Sequence, residues 1–300
     1  MKVKNYVKAE SLQQAYELNQ KRSTRILGGM LWMRQGNGTI QTAVDLSGLG
    51  LDQIEETEEE FRIGCMVTLR RLEQHSGLND YASGAVRDAV QGIVGVQFRN
   101  LATVGGSIWG RFGFSDVLTV FLALDTWVEL YQGGMVSLRE FAGRKKDNDI
   151  LVRLIVKKRP QAVVYQAFRN TRTDFPVLTC AVGVWDGAGR AVIGARPGRA
   201  ICLELPEAVC RKLYQERAEI TGRSESCQEQ PEISCGAADD QRKTEGFPEK
   251  LAGELAGQVP VGSNLRGSGE YRSHLAKVLL KRNLERLIAG EGQGKEGAAQ

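Results

Sequence analysis

Two glycine pairs, each at the end of an apolar stretch, constrain this chain more than any other feature. They are Ile26-Leu-Gly-Gly-Met-Leu31 and Thr103-Val-Gly-Gly-Ser107. A glycine pair accepts positive φ and leaves no side chain in the way of close approach. Successive backbone N–H groups then converge on an anion. Taken singly, either pair also reads as a plain turn or bulge. Together, two pairs from distant parts of the chain can clamp a diphosphate from both sides. Thr103 and Ser107 add hydroxyl donors, and Asp116 offers an acceptor for ribose or ribityl hydroxyls. Neither pair is a G-x-G-x-x-G or a Walker G-x-x-x-x-G-K, so a nucleotide bound here requires another architecture.

The rest of the residue inventory narrows the choice. Lys and Arg number 40 against 36 Asp and Glu, a net charge of +4, too balanced for a chain devoted to nucleic acid. No apolar run reaches membrane-spanning length. The start, MKVKNYVKAE, lacks a secretory hydrophobic stretch, so a cytoplasmic location is expected. Only His75 and His274 are present, and no two of the six cysteines stand at C-x-x-C spacing. Reduced thiols are therefore expected, and a metal centre held by this chain alone is not. His75 closes a helix at its C-terminal end, and His274 sits on the surface or packs. Cys227 and Cys235 fall short of a four-ligand cluster.

Residues 1–158 alternate short strands and helices. Ser11–Asn19, Thr68–Leu72 and Ala85–Val94 read as helical. Thr24–Leu27, Ile40–Leu46, Phe61–Cys65, Thr126–Tyr131 and Ile150–Val156 read as strands. Asn100–Ile108 reads as a further strand containing the second glycine pair. Ser115-Asp116 caps an apolar helix, Val117–Leu124. From about Gln161 the texture becomes antiparallel: Ala162–Phe168, Leu178–Trp185 and Arg190–Ala195 are strands, with Asp186-Gly187 as hairpin turn. A helix over Pro206–Ala218 follows. Residues 219–258 read as a polar, acidic, solvated connection or a loosely packed helix, and Tyr271–Ile288 as an amphipathic helix. Residues 291–300 have no means of burying a core and are expected to be disordered.

The ordered set of motifs resembles the FAD-binding (medium) subunit of the xanthine dehydrogenase and carbon monoxide dehydrogenase family of molybdenum hydroxylases. Gly28-Gly29 stands where that family has an A-G-G-T-D-L-like loop. Asn100–Ile108 (NLATVGGSI) follows its N-x-A-T/S-x-G-G-N-I signature, with Ser115-Asp116 at the family's spacing beyond. Ile150-Leu151-Val152 matches the E-I-L-x-x-I strand. Tyr165–Pro176 resembles Y-x-K-F-x-R-R-x-x-D-F-P, and Arg266–Arg272 (RGSGEYR) is like R-G-S-A-E-Y-R.

The resemblance implies an α+β fold: a vanillyl-alcohol-oxidase (PCMH)-type FAD-binding domain over 1–158, then a small α+β domain over 159–290. It implies that Leu27, Gly28, Gly29, Met30 and Leu31 hold the pyrophosphate of FAD together with Thr103, Val104, Gly105, Gly106 and Ser107. It places Ser115 and Asp116 at the ribityl or ribose hydroxyls, Leu151 near the rings, and Ile93 over the isoalloxazine. Implied partners are a molybdopterin-binding large subunit and an iron–sulfur (2Fe–2S) small subunit, with NAD or another acceptor taking the electrons. Four departures stand out. Met30-Leu31 replaces Thr-Asp, Ser107 replaces Asn, Ala167 replaces the lysine of Y-x-K-F, and Gly110–Phe114 is bulkier than the family's small-residue run. Arg169 or Arg172 is then the available cation beside the flavin. A flavin-free scaffold subunit and a stand-alone FAD oxidoreductase are the alternative readings.

Overall fold

A computed structural model describes residues 1–159, 161–185, 187–221 and 246–290. Asp186, the acidic stretch up to residue 245 with Cys227 and Cys235, and the 291–300 tail lie outside the described residues.

The chain opens with β1 (Lys2–Lys8), α1 (Leu12–Asn19), β2 (Thr24–Leu27) and β3 (Thr39–Asp45). Ser11 starts α1, its hydroxyl accepting from Gln14 N at 3.1 Å. The three strands are parallel, with β3 in the middle. Leu27 ends β2 opposite Asp45, so Gly28-Gly29 departs from the carboxyl end of a parallel strand, the side on which such sheets receive ligands.

Next come β4 (Ile54–Glu56), β5 (Glu60–Gly64) and six short helices. These are α2 (Leu69–Gln74), α3 (Ser76–Tyr81), α4 (Ala85–Gln91), α5 (Val96–Leu101), α6 (Val104–Trp109) and α7 (Asp116–Leu122). β6 (Thr126–Leu130), β7 (Gly134–Ser137), α8 (Leu138–Gly143) and β8 (Leu151–Lys157) complete an antiparallel sheet of order β4-β5-β8-β6-β7. A third sheet, β9 (Gln161–Phe168), β10 (Leu178–Trp185), β11 (Ala188–Gly194) and β12 (Ile201–Glu204), is an antiparallel meander. α9 (Glu207–Thr221), α10 (Phe247–Gly257) and α11 (Gly269–Ala289) follow.

Every residue of β10 is buried. Cys180, Val182 and Val184 join the core shared with α9–α11, whereas Ala181 belongs to the core of the first 158 residues. A sheet covered on both faces loses the inside–outside alternation of an exposed one, which is why LTCAVGVW reads as a continuous apolar run.

Two expectations are corrected. Asn100–Ile108 is not a strand: α5 ends at Leu101, and the glycine pair occupies the first turn of α6. Its β-branched residues suggest a strand, but Thr103 caps the helix, and the N–H groups of Val104 and Gly105 reach Val67 O and Cys65 O at 2.8 Å each. His75 ends α2 but acts on the next helix, its Nδ1 accepting from Leu78 N at 3.0 Å. Of the two readings of 219–258, the described end takes the helical one: α10 packs firmly, burying Leu251, Ala252, Leu255 and Ala256.

Candidate functional site

The two glycine pairs meet. A Cβ on Gly28 would stand 2.7 Å from Thr103 Oγ1 and 3.9 Å from Gly106 Cα. One on Gly29 would fall 1.9 Å from Leu101 O, inside any tolerable contact. One on Gly105 would be 2.7 Å from Cys65 Cβ and Cys65 O. Gly28 and Gly29 are therefore required by close approach between segments some 75 residues apart in sequence, and Gly105 by packing of α6 on the turn after β5.

The backbone donors of the two loops differ in availability. On α6, Val104 N and Gly105 N serve Val67 O and Cys65 O, and Gly106 N donates to Thr103 Oγ1 at 3.1 Å. In the first loop, the N–H groups of Gly29, Met30 and Leu31 have no acceptor among the described residues. Met30 has φ +58°, a left-handed conformation that turns neighbouring N–H groups towards one point. The open donors thus lie on 29–31, with α6 as the wall behind them.

The expected hydroxyls are engaged as local caps. Ser107 Oγ donates back to Thr103 O at 3.0 Å, and Ser115 Oγ accepts from Leu118 N at 3.1 Å. Asp116 is buried at the start of α7; its Oδ1 accepts from Arg169 Nη2 at 2.5 Å and from the Tyr165 hydroxyl. Burial pushes the Asp116 carboxyl up, while Arg169 and Tyr165 pull it down. Burial, with the Asp116 charge beside it, raises the Tyr165 hydroxyl well above its ordinary value. Val104 and Leu151 lie in the core, Leu151 opposite Leu130.

Ile93 is half-buried in the turn after α4. A Cβ on its neighbour Gly92 would come 3.2 Å from Arg169 Nε, so this turn rests against the Arg169–Asp116 pair. Gly92, Ala167, Arg169 and Arg172 line a cleft of ≈ 500 Å³ between α4, β9 and α11. Arg169 is fixed by Asp116 and by a bond to Asp174 O at 2.6 Å, while Arg172 is exposed. Sequence reasoning missed Tyr165 and the Asp116–Arg169 pairing. The signal was there: Tyr165 and Arg169 fall four residues apart in the Tyr165–Pro176 motif, which begins within β9.

An aromatic cluster closes the other side of the loops. Trp32 packs on Phe112, Phe114 and Phe175 with centroids 5.4–5.7 Å apart, and Phe112 stacks on Phe114 at 5.2 Å. Phe112 and Phe114 of the 110–114 run thus pack with Trp32, just past the first loop, in a cluster that also takes in Phe175.

Residues 1–158 match the family described as the FAD binding domain in molybdopterin dehydrogenase. The chain belongs to that family. The fold agrees over its length: the quinoline 2-oxidoreductase structure from Pseudomonas putida 86 superposes with a TM-score of 0.74 at 18% identity, covering 96% of this chain and 97% of that one. The carbon monoxide dehydrogenase structure from Hydrogenophaga pseudoflava gives 0.73 at 17% identity, covering 95% and 97%. The uncharacterized protein YgfM of Escherichia coli (strain K12) is 25% identical over 198 residues, 63% of this chain and 73% of that protein. FAD is thus the cofactor of this family member, which is an oxidoreductase flavoprotein of α+β fold. Among the described residues no helix is long and apolar enough to cross a membrane.

Proposed function

We propose that this chain is the electron-transfer subunit of a molybdenum hydroxylase complex. In that complex electrons arrive from 2Fe–2S clusters of a small subunit, after hydroxylation on a molybdopterin-binding large subunit, and leave to NAD or another acceptor. The observation that carries the reading is the pair of glycine loops in contact, with unclaimed N–H donors on 29–31.

The residues present suit FAD at the loops. Leu27–Leu31 supply backbone donors for its pyrophosphate, and the absence of side chains at Gly28 and Gly29 keeps this loop pressed against α6. Thr103–Ser107 form the supporting wall, with Ser115 holding the start of α7 beside it. Asp116 acts through Arg169, fixing the cation next to the Ile93 turn. Leu151 supports the floor from β8. Bound FAD supplies the redox chemistry, accepting and passing on electrons. The chain binds it, orients it and sets the charge beside it. With Ala167 in place of the family's lysine, that charge falls to Arg169 and Arg172.

The test is reconstitution. Full-length chain incubated with FAD and desalted should retain stoichiometric flavin, and Gly29→Ala should retain little. Protein that never takes up flavin would remove this reading. The scaffold reading gains from one observation, the commitment of Thr103, Ser107 and Asp116 to internal bonds. It predicts full activity of the assembled complex without bound FAD.

A further inference from the structure

Arg111 belongs to the Gly110–Phe114 run that departs from the family's small residues, and the flavin reading gives it no task. Only 8% of it is exposed, yet Nε, Nη1 and Nη2 all lack a hydrogen-bond partner among the described residues. Its guanidinium lies over the Phe141 ring at 3.9 Å and near Trp109 at 5.4 Å. Aromatic faces cover the plane of a guanidinium but accept nothing at its edge, where five N–H groups point. A buried cation without an acceptor is costly, and its fork matches the oxygens of a phosphate or carboxylate.

Arg111 lines a second cleft, ≈ 180 Å³, between α7, α8 and β12. Arg139 and Arg199 line it too, the apolar walls include Leu118, Leu122 and Ile201, and no carboxylate lines it. Arg139 pairs with Glu204, and Arg199 donates to Gly143 O at 3.1 Å, so neither contact brings an acceptor to Arg111. Arg199 and Arg144 add positive potential at Arg111, opposed by Asp147. A cleft lined by one sign of charge concentrates the opposite ion. Its volume is below the roughly 300–1,000 Å³ of sites for drug-sized ligands. It shares no lining residue with the larger cleft beside Ile93, and none of the glycine-loop residues lines it.

We infer that this cleft is a binding site for a phosphate-class oxyanion, held by the Arg111 fork and by Arg139 and Arg199. The ligand is either free inorganic phosphate or the phosphoryl group of a small metabolite. No bond is made or broken: the site binds, and by occupying the seam between α8 and β12 it ties the first domain to the second.

The experiment is calorimetric titration of the full chain with sodium phosphate, with sodium chloride at matched ionic strength as control. Saturable binding is expected for phosphate and none for chloride. Arg111→Gln should raise the Kd at least tenfold. Arg199→Gln, an exposed position that does not threaten folding, should raise it several-fold. Circular dichroism verifies that both variants are folded. Binding must persist in protein saturated with FAD; loss on FAD loading would place phosphate in the glycine loops and overturn the proposal. Unchanged affinity in folded Arg111→Gln or in Arg199→Gln, or no saturable binding by the wild type, would overturn it as well. Tighter binding of glycerol 3-phosphate than of inorganic phosphate identifies a phosphorylated metabolite, and the reverse identifies the free ion; weakening by Arg199→Gln is required in either case.

Discussion

Arg169, just beyond the end of β9, holds Asp116 at the first turn of α7 with Nη2 2.5 Å from Oδ1. Both side chains are nearly closed to solvent, at 11% and 6% exposure. The Tyr165 hydroxyl donates to the same oxygen. The start of the apolar helix after the second glycine pair is thereby welded to the neighbouring sheet, and the turn carrying Ile93 leans on the weld.

Removing one member of a buried ion pair leaves the other uncompensated, typically at about 3–5 kcal/mol. Asp116→Ala should lose stability in that range by urea denaturation, while Tyr165→Phe should lose only about 1–3 kcal/mol, one hydrogen bond to a charged group. Combining Asp116→Ala with Arg169→Met should recover part of the loss. Strict additivity of the two would show that the pair is not coupled.

Gly29 and Gly50 separate close approach from backbone freedom. Gly50 has φ +66° with nothing within 4 Å of an added methyl, so Gly50→Ala should cost about 1 kcal/mol and leave flavin content intact. Gly29→Ala places a methyl 1.9 Å from Leu101 O and should both destabilise the chain more and deplete bound flavin. Thermal melts and flavin absorbance on the two variants decide this.

Burial pushes the Asp88 carboxyl up to about 6, against the opposing pull of Arg286 and Arg87. Between the ordinary carboxylate pKa of about 4 and this value, the folded state holds a proton that the unfolded chain has lost. Its contribution is full below that window and fades as pH rises through it. Asp88→Asn should flatten the fall in stability between about pH 4 and 6. A denaturation midpoint that follows pH identically in both proteins would contradict the assignment.

Arg272 is fully buried, its guanidinium donating to Val177 O at 2.9 Å, Gly262 O at 2.8 Å, Gly267 O and Asn264 Oδ1. The last arginine of the RGSGEYR motif is therefore a clamp on the turn before α11. Arg272→Met keeps volume but strands several acceptors, each worth about 1–3 kcal/mol when left buried and unpaired. The variant should unfold at markedly lower denaturant, whereas Arg282→Met, on the rim of the larger cleft, should not.

Much of this was legible in the residues. Thr24–Leu27 and Leu178–Trp185 were readable to the residue, since a glycine pair or a proline-bounded apolar run marks their ends. Ser115 announced α7 because a capping hydroxyl before an apolar run satisfies the helix's first donors. What misled was the second glycine pair. Thr-Val-Gly-Gly-Ser-Ile has strand-like composition, and only contacts with Val67 and Cys65, far away in sequence, make it helical. The short strands β4 and β7 left little periodicity to detect, and the seven-residue β1 is exposed along most of its length. At the site, the meeting of Gly28 with Thr103 followed from the motif order, but the capture of Asp116 by Tyr165 and Arg169 did not. The four-residue spacing of Tyr165 and Arg169 is visible in the residues, but nothing near it in sequence names Asp116, 49 and 53 positions away, as their shared acceptor.

The face of β10 turned towards α7 has a consequence for where such a chain can be divided. A Cβ on Gly183 would fall 1.9 Å from Ala123 O, and the hydroxyls of Thr119 and Thr179 share a buried bond at 3.0 Å. Neither partner tolerates an unrelated surface in place of the other. A recombination breakpoint near residue 158 would expose bare backbone and unpaired hydroxyls on both fragments. The seam therefore behaves as one packed unit: cutting or swapping the chain near residue 158 should cost both pieces their fold, not only their contact with each other.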